Sequence, residues 1–189
     1  RRAAAGPYGR GRFADIEALV DVVEAVAEVW PVVAHGVGLS IGSPGPLDPA
    51  YVRRMREWTD RLRLRWFSEH LSFFRLRSGS TAAHEAGLAA PLPLDRDVLR
   101  AVARRAAQVK DALGVPFLLE NGVAYAAPVD DDFEEWEFLN ALAARSGAGV
   151  LLDLHNLYVN AVNHGFEAEA YLDRLDARNV VEIHVAGGD

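Results

Sequence analysis

The sequence has 189 residues, of which 50% are apolar, and it carries a formal net charge of −7. This length and apolar content suffice to bury the core of one globular domain, whereas the negative charge argues against a general affinity for nucleic acid, which usually requires a basic surface. The chain contains no cysteine, which excludes disulfides and thiolate ligands, so any bound metal would be held by nitrogen and oxygen atoms.

No apolar run is long enough to span a bilayer, and no segment has the basic start and apolar middle of a signal peptide. We therefore expect a cytoplasmic protein without a membrane partner. Residues 1–12 are mostly Ala, Gly and Arg and are predicted to be an arm or a loop. The chain starts with arginine and stops just after a strand-like segment, so we expect residues 13–189 to form part of a larger barrel domain.

The rest of the sequence alternates predicted helices with predicted strands. Apolar residues recur at helical spacing, which predicts helices at 15–30, 48–62, 95–113, 130–146 and 167–175. Short apolar runs between them are predicted to be strands, at 32–35, 64–67, 117–119, 150–152 and 180–185. Residues 75–93 have no clear period and are predicted to form a long loop, of a length that is often functional.

A histidine or a carboxylate stands at or just after the end of each predicted strand. These residues recur at intervals of 35, 50, 33 and 31 positions, and they are His35, His70, Glu120, Asp153 and His184. Such spacing indicates βαβ units and a parallel sheet. A doubly wound nucleotide-binding fold lacks support because no G-x-G-x-x-G turn is present. We expect an α/β fold of the TIM (β/α)8-barrel type, with about five βα units in this chain and the terminal strands missing.

A single histidine at a strand end is more often a structural residue than a metal ligand. Likewise, Glu120 could form a buried ion pair with an arginine. Five such residues at one end of a barrel would be costly to desolvate without a cation, however, and histidine with carboxylate favours iron, manganese or zinc over calcium. His155 could be a ligand or could support one through a hydrogen bond, and surface or loop-closing roles are expected for His84 and His164.

Five segments together resemble the multinuclear non-heme iron-dependent oxidase family, which includes the oxidase of methanobactin biosynthesis. They stand in the order and at about the spacing found in that family: AHGVGLS at 34–40, SEHL at 68–71, LLEN at 118–121, LLDLHNLYVNA at 151–161 and EIHVAG at 182–187. The resemblance implies a TIM barrel with two or three irons. It further implies oxygen-dependent modification, usually of cysteine, in a ribosomally made precursor peptide that a partner protein presents.

Carried over position by position, the resemblance implies metal ligands or their immediate neighbours at His35, His70, Glu120, Asp153, Asn156 and His184. The family's first two strands and its terminal Asp-x-His region have no match here. His155 also stands where many members have asparagine, and Gly122 where many have proline. Two other functions stay open: a metal-dependent barrel like xylose isomerase or endonuclease IV, using zinc, manganese or magnesium, and a metal-free barrel that binds peptides.

Overall fold

The computed structural model describes residues 17–76, 84–125 and 131–187. Its helices are α1 Glu17–Val29, α2 Pro49–Leu62, α3 Arg96–Leu113, α4 Glu135–Ser146, α5 Leu154–His164 and α6 Ala168–Arg174. Its strands are β1 Ala34–Gly36, β2 Phe67–His70, β3 Phe73–Leu76, β4 His84–Ala90, β5 Phe117–Glu120, β6 Gly149–Asp153 and β7 Val180–His184. The arm predicted for residues 1–12 lies outside the described residues.

Five strands form one sheet in the order β1-β2-β5-β6-β7, and every neighbouring pair in it is parallel. At least one helix lies between consecutive strands of this sheet along the chain, as crossovers between parallel strands require. The α/β architecture with a parallel sheet is therefore confirmed. The order of strands in the sheet follows their order in the sequence, which is the arrangement of a barrel wall rather than of a doubly wound sheet.

The prediction of a loop throughout residues 75–93 is wrong. The structure places β3 and β4 there as an antiparallel pair, with Arg75 opposite Glu85 and Leu76 opposite His84. Antiparallel pairing depends on backbone N–H and C=O groups, so a segment rich in Ala and Gly can form a ladder without the alternation of residue types that sequence patterns detect. The hairpin follows directly after β2 and its His70.

Capping residues delimit the helices much as the sequence predicts. Asp48 caps α2, with Pro49 in its first turn, and the Asp95 side chain accepts a hydrogen bond from the Val98 backbone N–H at the start of α3. Gly114 ends α3 in the left-handed conformation that glycine adopts at lowest cost. Within the described part of the chain, no helix is long and apolar enough to cross a membrane.

The two faces of the central strands differ in chemistry. In β5, Phe117 and Leu119 belong to the apolar core that the helices cover, together with Val150 and Leu152 of β6. Because side chains alternate along a strand, Glu120 at the end of β5 lies on the opposite face. Each fully buried Leu or Phe of this core contributes about 1.5–3 kcal/mol, so the core holds the strands rigidly beneath the polar residues at their ends.

Candidate metal centre

The register of the sheet brings the polar strand ends together. His70 of β2 is paired with Glu120 of β5, and Asp153 of β6 is paired with His184 of β7. Paired residues on neighbouring strands point to the same face, so each pair has its side chains side by side. His35 of β1 is paired with Ser68 rather than with His70. The polar residues are therefore staggered: their position along the strand direction shifts from one edge of the sheet to the other.

His35, His70 and Glu120 form the first group of convergent side chains. Their nearest ligand atoms all lie within 4.8 Å of one another. Glu120 Oε2 is 2.9 Å from His70 Nδ1 and 3.2 Å from His35 Nε2, and the two imidazoles approach each other to 3.1 Å through their Nε2 atoms. Each of the three side chains therefore offers one ligand atom within reach of a single ion.

Glu120, Asp153 and His184 form the second group, with ligand atoms that again lie within 4.8 Å of one another. His184 Nδ1 is 3.4 Å from Glu120 Oε1 and 3.9 Å from Asp153 Oδ2. The two carboxylate oxygens of Glu120 thus face different partners, Oε2 the first group and Oε1 the second. One glutamate is shared between two potential metal positions.

The environment of Glu120 fits a bound cation. Its residue exposure is 2%, and Oε2 has no hydrogen-bond partner of good geometry among the described residues, although both imidazoles lie close to it. Burial alone would raise the pKa of Glu120, but the imidazoles of His35 and His70 outweigh burial and hold this pKa far below its usual range. A buried, ionised carboxylate with two imidazoles beside it is a donor set that can hold a metal ion.

Ser68 fixes the orientation of His35. The Ser68 hydroxyl donates to the backbone carbonyl of Ala34 over 3.3 Å, and it lies 2.9 Å from His35 Nδ1. With Nδ1 held by Ser68, His35 Nε2 points toward His70 and Glu120, and metal-ligating histidines are oriented in the same way by a hydrogen bond at their other nitrogen.

The two carboxylate oxygens of Asp153 make different contacts. Oδ1 accepts a hydrogen bond of 2.8 Å from the backbone N–H of Asn156 and so caps helix α5, whereas Oδ2 faces His184. Asn121, which directly follows Glu120, donates to the Asp153 carbonyl and accepts from the Asp153 N–H, over 3.1 and 2.7 Å. The ends of β5 and β6 are thereby joined beside the two residue groups.

Glu182 is a further participant that strand-end patterns do not single out. Its Oε2 accepts a 2.7 Å hydrogen bond from Trp66 Nε1, and its Oε1 lies 3.3 Å from His184 Nε2. Glu182 therefore orients the His184 ring so that Nδ1 points toward Glu120 and Asp153. The signal available in the sequence is alternation, because Glu182 and His184 share one face of β7. Ser68 and His70 are related in the same way on β2.

Not every predicted site residue joins the two groups. The Asn156 side chain donates a 2.9 Å hydrogen bond to the Asn121 carbonyl, and its place as a metal ligand stays a prediction. His155 lies in the first turn of α5 and belongs to neither group. His164 Nε2 lies 2.7 Å from the Ala124 carbonyl, which holds the segment after β5 against α5 in the loop-closing manner expected from the sequence. His84 is the first residue of β4.

Glu69 supports the loop that follows β1. Its residue exposure is 0%, and its Oε1 accepts hydrogen bonds from the Leu39 N–H and the Tyr51 hydroxyl. Burial raises the pKa of Glu69, and these hydrogen bonds partly oppose that rise. Gly36 is packed so closely that a Cβ atom there would lie 2.3 Å from Glu69 Oε1 and 2.9 Å from Phe67 Cε1. The residue after His35 therefore has to be glycine.

We expect Gly36→Ala to destabilise the fold by about 2 kcal/mol, because an added methyl group in a closely packed site displaces a carboxylate that two hydrogen bonds hold in place. Urea unfolding at equilibrium measures the change. Gly187→Ala is the matched control, since a Cβ at Gly187 meets nothing within 4 Å. Equal stabilities of the two variants would show that Glu69 adjusts freely.

Glu135, the first residue of α4, is an acidic residue in an unfavourable environment outside the two groups. Burial raises the pKa of Glu135 to about 7, and the nearby Tyr171 hydroxyl and Asn160 amide lower it only in part. Tyr171 and Asn160 are themselves buried. The carboxylate form of Glu135 is therefore disfavoured in the folded protein relative to the unfolded chain.

The pH dependence of stability follows from this raised pKa. The stability that protonated Glu135 contributes is fully present below about pH 4.5, the ordinary value, and is lost as the pH rises through about 7. We expect Glu135→Gln to be more stable than the parent at pH 8 by about 3 kcal/mol, and to match it near pH 4. Denaturant unfolding at the two pH values tests this. Asp97→Asn, which removes an exposed acid from the first turn of α3, controls for the loss of one negative charge.

Comparison with known proteins supplies a family and a fold. The sequence model of the family described as "RiPP precursor modification enzyme MbnB/TglH/ChrH" matches residues 13–189; RiPPs are ribosomally synthesised and post-translationally modified peptides. A UPF0276 protein of Anaeromyxobacter sp. (strain Fw109-5) is 43% identical over 166 residues, covering 88% of this chain and 57% of that protein. A UPF0276 protein of Rhizorhabdus wittichii is 41% identical over 167 residues, with coverages of 88% and 58%.

The chain thus spans little more than half the length of these curated relatives. Among solved structures, endonuclease IV from Thermus thermophilus is similar with a TM-score of 0.55 and 22% sequence identity, over 91% of this chain and 60% of that one. Endonuclease IV is a TIM barrel, so the barrel-type fold expected from the sequence is confirmed. At this level of identity the likeness concerns the fold alone.

Proposed function

Since the chain belongs to the RiPP precursor modification enzyme MbnB/TglH/ChrH family, we propose that the protein is a multinuclear non-heme iron enzyme that uses O2 to oxidise residues, in particular cysteine, of a ribosomally made precursor peptide. In this proposal residues 13–189 contribute part of a TIM-barrel domain. The peptide is the substrate, a second protein presents it, and the reaction takes place in the cytoplasm, where such peptides are made.

The observation that carries this proposal is the sharing of Glu120 between two ligand groups. Oε2 of Glu120 faces His35 and His70, and Oε1 faces His184, with Asp153 beside it. A single carboxylate with its two oxygens directed to separate nitrogen and oxygen donors suits two adjacent cations. In a mononuclear site one of the two groups would be redundant.

The protein's own residues prepare this centre before any substrate arrives. His35, His70 and Glu120 would hold one ion, and Glu120, Asp153 and His184 a second. Ser68 and Glu182 set the ring orientations of His35 and His184, and the helix cap fixes Asp153. Iron bound there would supply the redox chemistry and a Lewis-acidic position for a thiolate. The buried core beneath Glu120 keeps water from the protein side of the site.

The test is to purify the full-length protein without oxygen and measure its metals and its oxygen uptake. We expect at least two irons per chain, one for each residue group, and oxygen consumption that starts when a cysteine-containing precursor peptide is added. Zinc or manganese as the resident metal, without oxygen uptake, would replace this proposal with a hydrolase or isomerase of the endonuclease IV or xylose isomerase kind. Absence of any bound metal would favour a peptide-binding barrel.

A further inference from the structure

A cavity of about 560 Å³ lies beyond the carboxyl ends of β2 and β5, and none of the residues of the two ligand groups lines it. Leu71, which follows His70, and Gly122, two positions after Glu120, belong to its wall, and the rest comes from the segment before α3, the start of α4, and helices α5 and α6. Its volume lies within the range of pockets that bind small molecules and large side chains. The two proposed metal positions do not account for it.

The walls combine aromatic rings with negative charge. Phe133, Trp136 and Phe166 line the cavity, and Phe166 stacks on Tyr171 with ring centroids 6.2 Å apart. Six acidic residues take part in the lining, against one arginine, Arg174, whose guanidinium already lies over the Trp136 ring at 5.7 Å from its centroid. Aromatic faces together with carboxylates attract organic cations.

Two buried polar atoms in the cavity wall lack hydrogen-bond partners of good geometry in the described part of the chain. The residue exposure of Tyr171 is 4%. Its hydroxyl lies near Glu135 but has no hydrogen-bond partner of good geometry among the described residues. Asp131 uses Oδ1 to accept a 2.8 Å hydrogen bond from the Leu94 N–H, while its Oδ2 is buried and equally unpartnered there. Buried polar atoms left in this way cost about 1–3 kcal/mol each unless a ligand satisfies them.

The nature of the cation follows from the spacing of the acids. Among the described residues, no three acids of the cavity bring ligand atoms within 4.8 Å of one another, in contrast to the two groups around Glu120. A cavity of this size with aromatic walls suits a larger cation on an apolar stem. Lysine and arginine side chains have that form. The raised pKa of Glu135 agrees, since a positive charge would stabilise its carboxylate.

We propose that this cavity binds a lysine or arginine side chain of the peptide substrate and so holds a neighbouring residue of that peptide at the metal centre. The identity of the ligand as a peptide rests on the proposed function, whereas the preference for a basic side chain rests on the cavity alone. The basic group would pair with the carboxylates of Glu135 and Asp131. Because a cationic side chain donates hydrogen bonds and accepts none, the Tyr171 hydroxyl would contact another part of the peptide.

Isothermal titration calorimetry of the full-length protein, as purified, with single-residue probes tests this proposal without turnover. The probes are N-acetyl-arginine methylamide and N-acetyl-lysine methylamide, with N-acetyl-citrulline methylamide and N-acetyl-norleucine methylamide as neutral counterparts of similar shape. We expect at least one cationic probe to bind about tenfold more tightly than its neutral counterpart. Glu135→Gln and Tyr171→Phe should each weaken its binding about fivefold or more, and the control Asp97→Asn should leave it unchanged.

Equal binding of cationic and neutral probes would overturn the proposal, as would undetectable binding of both cationic probes at about 10 mM. An affinity that both Glu135→Gln and Tyr171→Phe leave unchanged would place the probe elsewhere and would equally overturn it. Two substitutions on different helices are used so that a folding defect in one leaves the other informative. Because binding of the probes requires neither iron nor oxygen uptake, this proposal and the proposed function can fail independently.

Discussion

Replacing Glu120 by alanine is expected to empty both metal positions and to lower the bound metal at least tenfold. The effect exceeds that of any other single ligand because Glu120 is the only member common to the two residue groups. Without it, His35 and His70 keep two imidazoles and no anion, and Asp153 and His184 keep one donor each. Elemental analysis of anaerobically purified protein measures the loss.

Two controls keep the Glu120 result interpretable. Glu57→Ala removes an exposed carboxylate that pairs with Arg54 on α2, and it should retain the full metal content. Circular dichroism shows whether Glu120→Ala is folded, which we expect, since the substitution removes a buried charge rather than a core side chain. A folded Glu120→Ala protein that retains its full complement of metal would refute the assignment of this centre.

Replacing His184 by alanine is expected to remove about one metal ion per chain and to leave the other bound. His184 contacts Glu120 and Asp153 but is absent from the group of His35, His70 and Glu120. His35→Ala should show the reverse, with loss of the ion at β1 and β2 and retention of the ion at β6 and β7. Oxygen uptake with peptide should fall by about two orders of magnitude or more in both variants, since each position has its own role in the proposed reaction.

The comparison between these two histidine variants tests whether the centre is truly multinuclear. If either substitution removed all metal, or if both removed the same ion in a spectroscopic assay of iron, the two groups would form one site with a surplus of donors. Glu182→Gln serves as an intermediate case, because Glu182 contacts His184 Nε2 without belonging to either group. We expect it to weaken metal binding about tenfold while leaving the stoichiometry at saturation unchanged.

The types of residue at the site could be predicted because they follow from local sequence patterns. His35, His70, Glu120, Asp153 and His184 each follow an apolar run of strand length, and the structure brings all five together. The same logic could not reach Ser68 or Glu182, whose roles depend on a neighbour across the sheet or on the Trp66 indole, 116 positions away in the sequence. It also did not reveal that one carboxylate oxygen of Asp153 caps the next helix.

Sequence patterns could not reveal the cavity, for a related reason. Asp131 and Glu135 lie just before and at the start of α4, whereas Tyr171 lies on α6. In the sequence alone, the two acids indicate a helix N-terminus and Tyr171 belongs to the apolar side of a short helix. They share an interior space only because the folded chain places them around one cavity, whose wall also includes Leu71 and Gly122. Its aromatic and acidic character follows from residues that each have an ordinary structural explanation when taken alone.

The amino-acid sequence by itself determined that strands and helices alternate, that the strands lie parallel, and that imidazoles and carboxylates stand at the strand ends, because apolar periodicity and capping residues act within a few positions. The tertiary structure alone decided the register, in which His35 lies beside Ser68, Glu120 beside His70, and Asp153 beside His184. Register between parallel strands depends on how distant segments pack their side chains and satisfy their backbone hydrogen bonds together. For that reason the sharing of one glutamate between two ligand groups appears only when the chain is folded.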